Sequence, residues 1–214
     1  MRKSSLDFFL KNGYSVIKLF SNEDIKILLN STNQRLNKIL GKKLNIDNLK
    51  NYHKHDVSDI DHNIMMHPHS RYIRFDKNII NKIKKNKKLT KILNGFWENN
   101  KFEIIWGSST LHNKTIKNAS GFRVARPKKK HTKDVAGVHI DLHFGGEIRK
   151  SKKAMLTVWT PLVGFSDKYS LRLAPKSHNT KWPSSSISKQ KKYITPVFKK
   201  NYKFPFKFTR PNLK

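Results

Sequence analysis

Three side chains able to bind a metal ion alternate along residues 137–148, GVHIDLHFGGEI. His139, Asp141 and His143 stand two residues apart, and on a β-strand such residues point to one face of the sheet. Imidazole and carboxylate groups at this spacing can hold adjacent corners of an iron(II) site and leave other positions open. Because strand histidines are often merely solvent-exposed, the motif by itself predicts either an iron(II) site or a polar strand.

The segments that flank this motif make it more specific. HIDLHFGG is followed by LTVWTPL, which contains Trp159, and then by SLRLAPKSH, which ends in the turn at residues 175–178. In this order and spacing the three segments resemble the phytanoyl-CoA dioxygenase-like branch of the iron(II)/2-oxoglutarate-dependent oxygenases. The opening NGYSVIKLFSNEDI is similar to the start of these enzymes. When GFRVARP is considered together with these segments, the chain most resembles the oxygenases of surface-carbohydrate gene clusters.

The resemblance implies both a reaction and its cofactors. It implies iron(II) bound by His139 and Asp141, and 2-oxoglutarate in a pocket that Trp159 lines. It implies a dioxygenase in which O2 oxidises a C–H bond of a small polar substrate, for example a carbohydrate-linked one, while 2-oxoglutarate is decarboxylated to succinate. For Trp159 an ordinary place in the core is the alternative.

Several nearby residues are candidates for contact with the substrate. His143 lies on the same strand face as the iron ligands and is expected to meet substrate or to stand at the rim. Arg123 and Arg126 of GFRVARP can pair with an anionic group, but they fall on opposite faces of an extended segment. Only one of the two arginines can therefore enter a given pocket without a bulge. His178 is expected to stabilise its turn, with a role as third iron ligand as the alternative.

Helical patterns precede strand patterns along the chain. Ser21 and Asp24 form a capping-box pattern, and Gly41 is expected to end the helix that they begin. A second helix is predicted over residues 77–100, and a strand over 14–20. Residues 42–76 predict a long loop with short helical pieces, whose five histidines are interpreted as lining a loop or a substrate entrance.

From residue 102 onward the pattern is that of strands, so the chain is predicted to be α+β. The resemblance specifies a double-stranded β-helix, a cupin-like jelly roll with the N-terminal helices packed on it. We expect one domain over residues 1–214, mainly helical over 1–100 and β-helical over 101–214. No histidine follows His178. The third iron ligand and the last strands are therefore expected to be missing, which predicts an open, partial barrel with little turnover.

The net charge of +32 invites a nucleic-acid-binding interpretation, yet 37 of the 46 basic residues are lysines scattered along the chain. A basic nucleic-acid-binding protein and a catalytically inactive barrel that only binds ligands remain the alternative functions. Nucleic acid is not the expected partner; a small-molecule substrate and O2 are. The chain has no cysteine, and neither a signal peptide nor a membrane span is evident, so we expect a cytoplasmic protein without a membrane partner.

Overall fold

The structure is a computed structural model of the 214-residue chain. It describes the following residues: 5–41, 46–55, 57–67, 70–95, 102–108, 114–126, 134, 138–139, 156–166, 170–180, 198 and 201–211.

Six α-helices lie in the first 95 residues of the described chain. They are α1 (Ser5–Asn12), α2 (Asn22–Leu40), α3 (Ile46–Lys50), α4 (Asp59–Met66), α5 (Lys77–Lys85) and α6 (Lys87–Asn94). Short 3₁₀ turns stand at Tyr52–Lys54 and Ser177–Asn179. Within the described ranges, none of these helices combines the length and the apolar character needed to cross a membrane.

Helix α2 confirms the predicted helix and both of its ends. The Asp24 backbone N–H donates to Ser21 Oγ over 3.2 Å, and the Ser21 N–H donates to Asp24 Oδ2 over 2.8 Å, which completes the capping box. At the other end Gly41 takes the left-handed conformation, with a φ of 60° that a glycine adopts without steric cost. The helix buries one apolar face, which includes Leu28, Leu29 and Leu36.

The prediction of one helix over 77–100 is wrong, because α5 and α6 are separate helices that meet at Asn86 and α6 ends at Asn94. Residues 96–100 lie outside the described residues. Asn86 leaves the helical conformation, and its Oδ1 accepts a hydrogen bond from the Leu89 N–H over 3.0 Å. Asparagine is a favoured helix N-cap, since its side chain replaces a backbone partner that the first turn lacks. The chain therefore starts a new helix there. Helix α5 buries Ile79 and Ile83, and α6 buries Leu89, Ile92 and Leu93.

Two antiparallel strand pairs follow. Strand β1 (Tyr72–Arg74) pairs with β4 (Ala119–Gly121), and β2 (Ile105–Ser108) pairs with β3 (Lys114–Lys117). Asn118 joins the two pairs: its N–H donates to the Ile104 carbonyl over 2.7 Å, and its carbonyl accepts from the Phe75 N–H over 2.8 Å. Its φ of 52° is one that asparagine tolerates better than most residues.

Most of the other segments predicted to be strands have no hydrogen-bonded partner strand in the described chain. Residues 14–20 are in no strand, so that prediction is wrong, and residues 122–126 and 156–162 are in no strand either. Leu173 and Thr209 form an isolated antiparallel bridge. In the part of the chain that the structure describes, the sheets are these two small pairs, and the double-stranded β-helix stays a prediction.

One hydrophobic core extends through the helices and reaches the later segments. Its buried members include Leu36 of α2, Met65 of α4, Ile79 of α5 and Phe122, which follows β4. Partly buried apolar residues from residue 102 onward pack against it, namely Phe102, Ile104, Val124, Leu156, Leu162 and Val163. The mainly helical part and the later segments therefore share a core.

Candidate functional site

The strand that carries the predicted iron ligands is described only at its start. His139 is half-buried, and the carbonyl of the preceding Val138 accepts a hydrogen bond from the Phe198 N–H over 3.0 Å. Phe198 is itself buried and stacks on Tyr202. Asp141 and His143 lie outside the described residues, so their distance from His139 stays a prediction.

Trp159 lies on an extended segment between Leu156 and Leu162, and 42% of its surface is exposed. Leu156 and Leu162 face the core, whereas Val158 is also exposed. An exposed indole does not fit the alternative of an ordinary core tryptophan. Its contact with 2-oxoglutarate stays a prediction.

The turn at His178 is held against the N-terminal segment. His178 Nε2 lies 3.0 Å from the Leu10 carbonyl, and the Lys176 N–H donates to the Asn12 carbonyl over 2.9 Å. Gly13, with a φ of 77°, sits under the imidazole, where a Cβ would overlap the ring. These contacts are those of a residue that stabilises a turn, and they bring together two of the segments that resemble the oxygenases.

The arginine segment after β4 alternates in burial as predicted. Phe122, Val124 and Arg126 face inward, whereas Arg123 and Ala125 are exposed. The period of two follows from the extended backbone. It places the two arginines on opposite faces and in different surroundings.

Arg126 is at the centre of a buried ionic cluster. Its Nε and Nη2 donate to the two carboxylate oxygens of Asp134 over 2.8 and 2.9 Å, and its backbone N–H donates to the same carboxylate over 2.9 Å. Nη1 donates to Asp59 of α4 over 2.8 Å. This fork geometry fits a carboxylate in a way that a lysine cannot match. Because both carboxylates already contact this guanidinium, contact of Arg126 with substrate stays a prediction that needs one of them to move.

His62 of α4 and Tyr52 extend the cluster into the core. His62 Nε2 lies 3.3 Å from Asp134 Oδ2, and His62 Nδ1 lies 3.2 Å from the Tyr52 hydroxyl. Only 1% of His62 and 2% of Tyr52 is exposed. The interpretation of His62 as a loop or entrance histidine is therefore wrong: its helix turns it inward, onto a carboxylate and a phenol.

Burial and charge shift the acidities in this cluster. Burial raises the pKa of the Tyr52 hydroxyl to about 12. Burial also acts to raise the pKa of Asp134, but the hydrogen bonds from Arg126 outweigh it and hold that pKa below its ordinary value. The hydrogen bonds with Asp134 likewise raise the pKa of Arg126. Asp134 and Arg126 therefore stay ionised as a pair, which favours a structural ion pair over a site of proton transfer.

This cluster could not be predicted from local patterns, because its members come from segments that are distant along the chain. The only available signal was the serine–aspartate start of α4, where Ser58 Oγ accepts from the Asp61 N–H over 3.0 Å. Among the residues that the structure describes, no three histidine, aspartate or glutamate side chains gather closely enough to hold a metal ion.

Comparison of the chain with protein-family models, with curated proteins and with solved structures gives no match in any of the three.

Proposed function

We propose that this chain is an iron(II)/2-oxoglutarate-dependent oxygenase of the hydroxylase type, acting on a small polar substrate. The observation that carries the proposal is the motif formed by His139 and Asp141, followed in order by Trp159 and the turn at residues 175–178. The contact between that turn and the segment at Asn12 and Gly13 supports it, because it joins the first and last segments of the resemblance.

The donor atoms suit the metal. A neutral imidazole and a carboxylate are the ligand types of non-haem iron(II), and His139 and Asp141 supply one of each. His139 is half-buried and follows Val138, whose carbonyl accepts a hydrogen bond from the N–H of the buried Phe198. When bound, iron(II) and 2-oxoglutarate would supply the oxidising chemistry.

The remaining roles belong to the protein. His139 and Asp141 would orient the metal, the exposed indole of Trp159 would border the 2-oxoglutarate pocket, and His143 or Arg123 would contact the substrate. Arg123 is exposed, so a ligand can reach its guanidinium group from solvent. The proposal includes a cytoplasmic location, since a reducing compartment favours the ferrous state of iron.

The test is an anaerobic titration of the full chain with iron(II) in the presence of 2-oxoglutarate, followed by the weak visible charge-transfer band of the chelate. Three alanine variants accompany the native chain: His139→Ala, Asp141→Ala and, as a matched control, the exposed His67→Ala. We expect a saturable band from the native chain and from His67→Ala, and a loss of at least about tenfold in iron affinity for the other two.

The outcomes separate the alternatives. A folded native chain without the band would overturn the oxygenase proposal and favour an inactive barrel that only binds ligands. An equal loss in His67→Ala would show that the iron binds to surface histidines. The variant His178→Ala tests the third ligand: a loss of iron affinity with unchanged unfolding would assign it to the metal, whereas a loss of stability alone fits its contact with Leu10.

Polyanion binding is a second candidate function, and one surface favours it. An open concavity of about 460 Å³ between α5 and α6 is lined by Lys84, Lys85, Lys87, Lys91, Thr90 and Asn94. Four ammonium groups around one depression attract phosphates. No stacking aromatic side chain is among its lining residues, so any binding to nucleic acid there would be electrostatic and independent of sequence.

Binding of random-sequence DNA distinguishes this candidate. If it is correct, affinity falls steeply with salt, and Lys87→Gln with Lys91→Gln lowers both the affinity and the slope, because fewer counterions are released. The control pair Lys26→Gln with Lys38→Gln removes the same charge from α2. An equal effect of both pairs would indicate that the net charge acts without a defined surface.

A further inference from the structure

Arg71 stands beside an aromatic ring at the start of β1. Its guanidinium carbon lies 5.1 Å from the centroid of the Trp106 ring, a distance typical of a cation–π contact. The indole lies against Gly121 of β4, where a Cβ would overlap its six-membered ring. The glycine therefore makes room for the indole, and the indole holds the arginine.

The hydrogen-bonding capacity of Arg71 is incompletely used. Its Nε is buried and has no hydrogen-bond partner in the described chain, and Arg71 has no ion pair with a described carboxylate. Arg126 differs in both respects, since its Nε, Nη1 and Nη2 all donate to carboxylates. A buried donor without a partner is costly, so this position suits a group that comes from outside the chain.

The local charge favours an anion. Burial, and then the neighbouring Arg123, lower the pKa of Arg71 to about 10. Each of these effects disfavours a cation, and an anion bound beside Arg71 would oppose the second. The Phe122 N–H donates to the Arg71 carbonyl over 3.1 Å, which places Arg123 one residue further along the facing segment. At neutral pH Arg71 remains charged, so the attraction is available.

The use of arginine at this place is unusual for the chain. Only 9 of its 46 basic residues are arginines, yet Arg35, Arg71, Arg74 and Arg123 all lie on or beside the β1 and β4 pair. Arg35 Nε donates to the Ser70 carbonyl over 2.8 Å, and its guanidinium carbon lies 4.5 Å from the Tyr72 ring centroid. Guanidinium groups do what lysine cannot: they stack on rings and present a fork of donors to an oxyanion.

We propose that Arg71, together with Arg123, binds an oxyanion of a small ligand, a phosphate or a carboxylate, beside the Trp106 indole. This site requires no iron, so it can be tested independently of the proposed oxygenase activity. If both are correct, it would hold the anionic group of the substrate.

The experiment is isothermal titration of the full chain, without iron, with inorganic phosphate and separately with succinate, at a constant ionic strength set by KCl. The two ligands distinguish a phosphate site from a carboxylate site. The variants are Arg71→Gln, Arg71→Lys, Arg123→Gln and the control Arg74→Gln, which removes the same charge at the opposite end of β1. Urea unfolding of each variant checks that it is folded.

We expect saturable binding of at least one of the two anions, weakened about tenfold or more by Arg71→Gln, since a charge-assisted fork is lost. Arg71→Lys should recover only part of it, and Arg74→Gln should stay within about twofold of native. If Arg71→Gln does not fold, Arg71→Lys and Arg123→Gln decide. Equal weakening by Arg74→Gln, or the absence of saturable binding of both anions to the native chain, would overturn the proposal.

Discussion

Arg126 contacts two carboxylates that differ greatly in exposure. The side chain of Asp134 is 3% exposed and that of Asp59 is 72% exposed, while Arg126 itself is 7% exposed. In water an ion pair gains little, because the solvent screens the charges and the side chains lose freedom. In the interior the loss of one partner leaves the other charge desolvated and unpaired. The two contacts of one guanidinium should therefore contribute very differently to stability.

We predict that Asp134→Asn lowers the free energy of unfolding by roughly 3 kcal/mol, since Arg126 then loses a buried ionic partner. The matched control Asp59→Asn removes an exposed partner of the same arginine and should cost less than about 1 kcal/mol. Urea unfolding at pH 7 measures both. Similar losses for the two variants would contradict the difference in desolvation on which the prediction rests.

Among elements, helix α2 depends on one aspartate for two contacts. Asp24 completes the capping box with Ser21, and it is also ion-paired with Lys82 of α5 although only 2% of it is exposed. The hydrogen bonds from Lys82 and then from Ser21 lower the pKa of Asp24 to about 2, from an ordinary value of 3.8. The helix start and the packing of α2 on α5 are therefore linked through this carboxylate.

We predict that Asp24→Asn lowers the free energy of unfolding by about 2 kcal/mol at pH 6. Because the folded pKa lies below the unfolded one, this stabilisation is complete above about pH 4 and is lost as the pH falls toward 2. The free energies of unfolding of the native chain and of Asp24→Asn, measured with urea, should converge as the pH falls over that range. The control is Glu23→Gln, which removes an exposed acid of the same first turn. Its free energy of unfolding should follow that of the native chain over the same pH range. If the difference in free energy of unfolding between the native chain and Asp24→Asn persists below pH 4, the lost stability comes from packing and not from the charge of Asp24.

The elements also show which parts of the fold the sequence can predict. Both ends of α2 were predictable because a capping box and a C-terminal glycine are complete within a few residues. The break at Asn86 was not, since Asn86 also donates to the Lys18 carbonyl over 3.2 Å, a contact far along the chain. The strand expected at 14–20 is absent because its residue types favour an extended backbone but do not determine a neighbouring strand to pair with.

The same limit applies to the candidate site. The alternation of Phe122, Val124 and Arg126 with Arg123 follows from local geometry and is confirmed. The pairing of Arg126 with Asp134 and the burial of His62 depend on the folded chain and could not be read from spacing. Arg71 was overlooked for the same reason, because its surroundings come from Trp106 and Arg123, which are remote in sequence.

For the whole molecule, the net charge of +32 makes repulsion between like charges a substantial unfavourable contribution to stability. The chain has 46 lysines and arginines but only 14 aspartates and glutamates, so most charged residues have like charges as neighbours. A chain of 214 residues has a radius of gyration of about 17 Å when folded. The Debye length is about 30 Å at 0.01 M salt and about 8 Å at 0.15 M. At low salt, therefore, lysines repel one another across the entire molecule, and at moderate salt only close neighbours do.

We predict that KCl raises the melting temperature between 0.01 and 0.15 M, because screening relieves more repulsion than it weakens attraction. Exposed ion pairs such as Lys117 with Glu103, which salt can screen, contribute little to stability. Each kcal/mol of relieved repulsion should raise the melting temperature by about 2–4 °C.

Phosphate at equal ionic strength should further raise the melting temperature of the native chain but not that of Arg71→Gln, since a ligand that binds only the folded state stabilises it. A melting temperature that falls as KCl is added would show that the few ion pairs outweigh the repulsion, and a phosphate effect that survives Arg71→Gln would place the anion elsewhere on the surface.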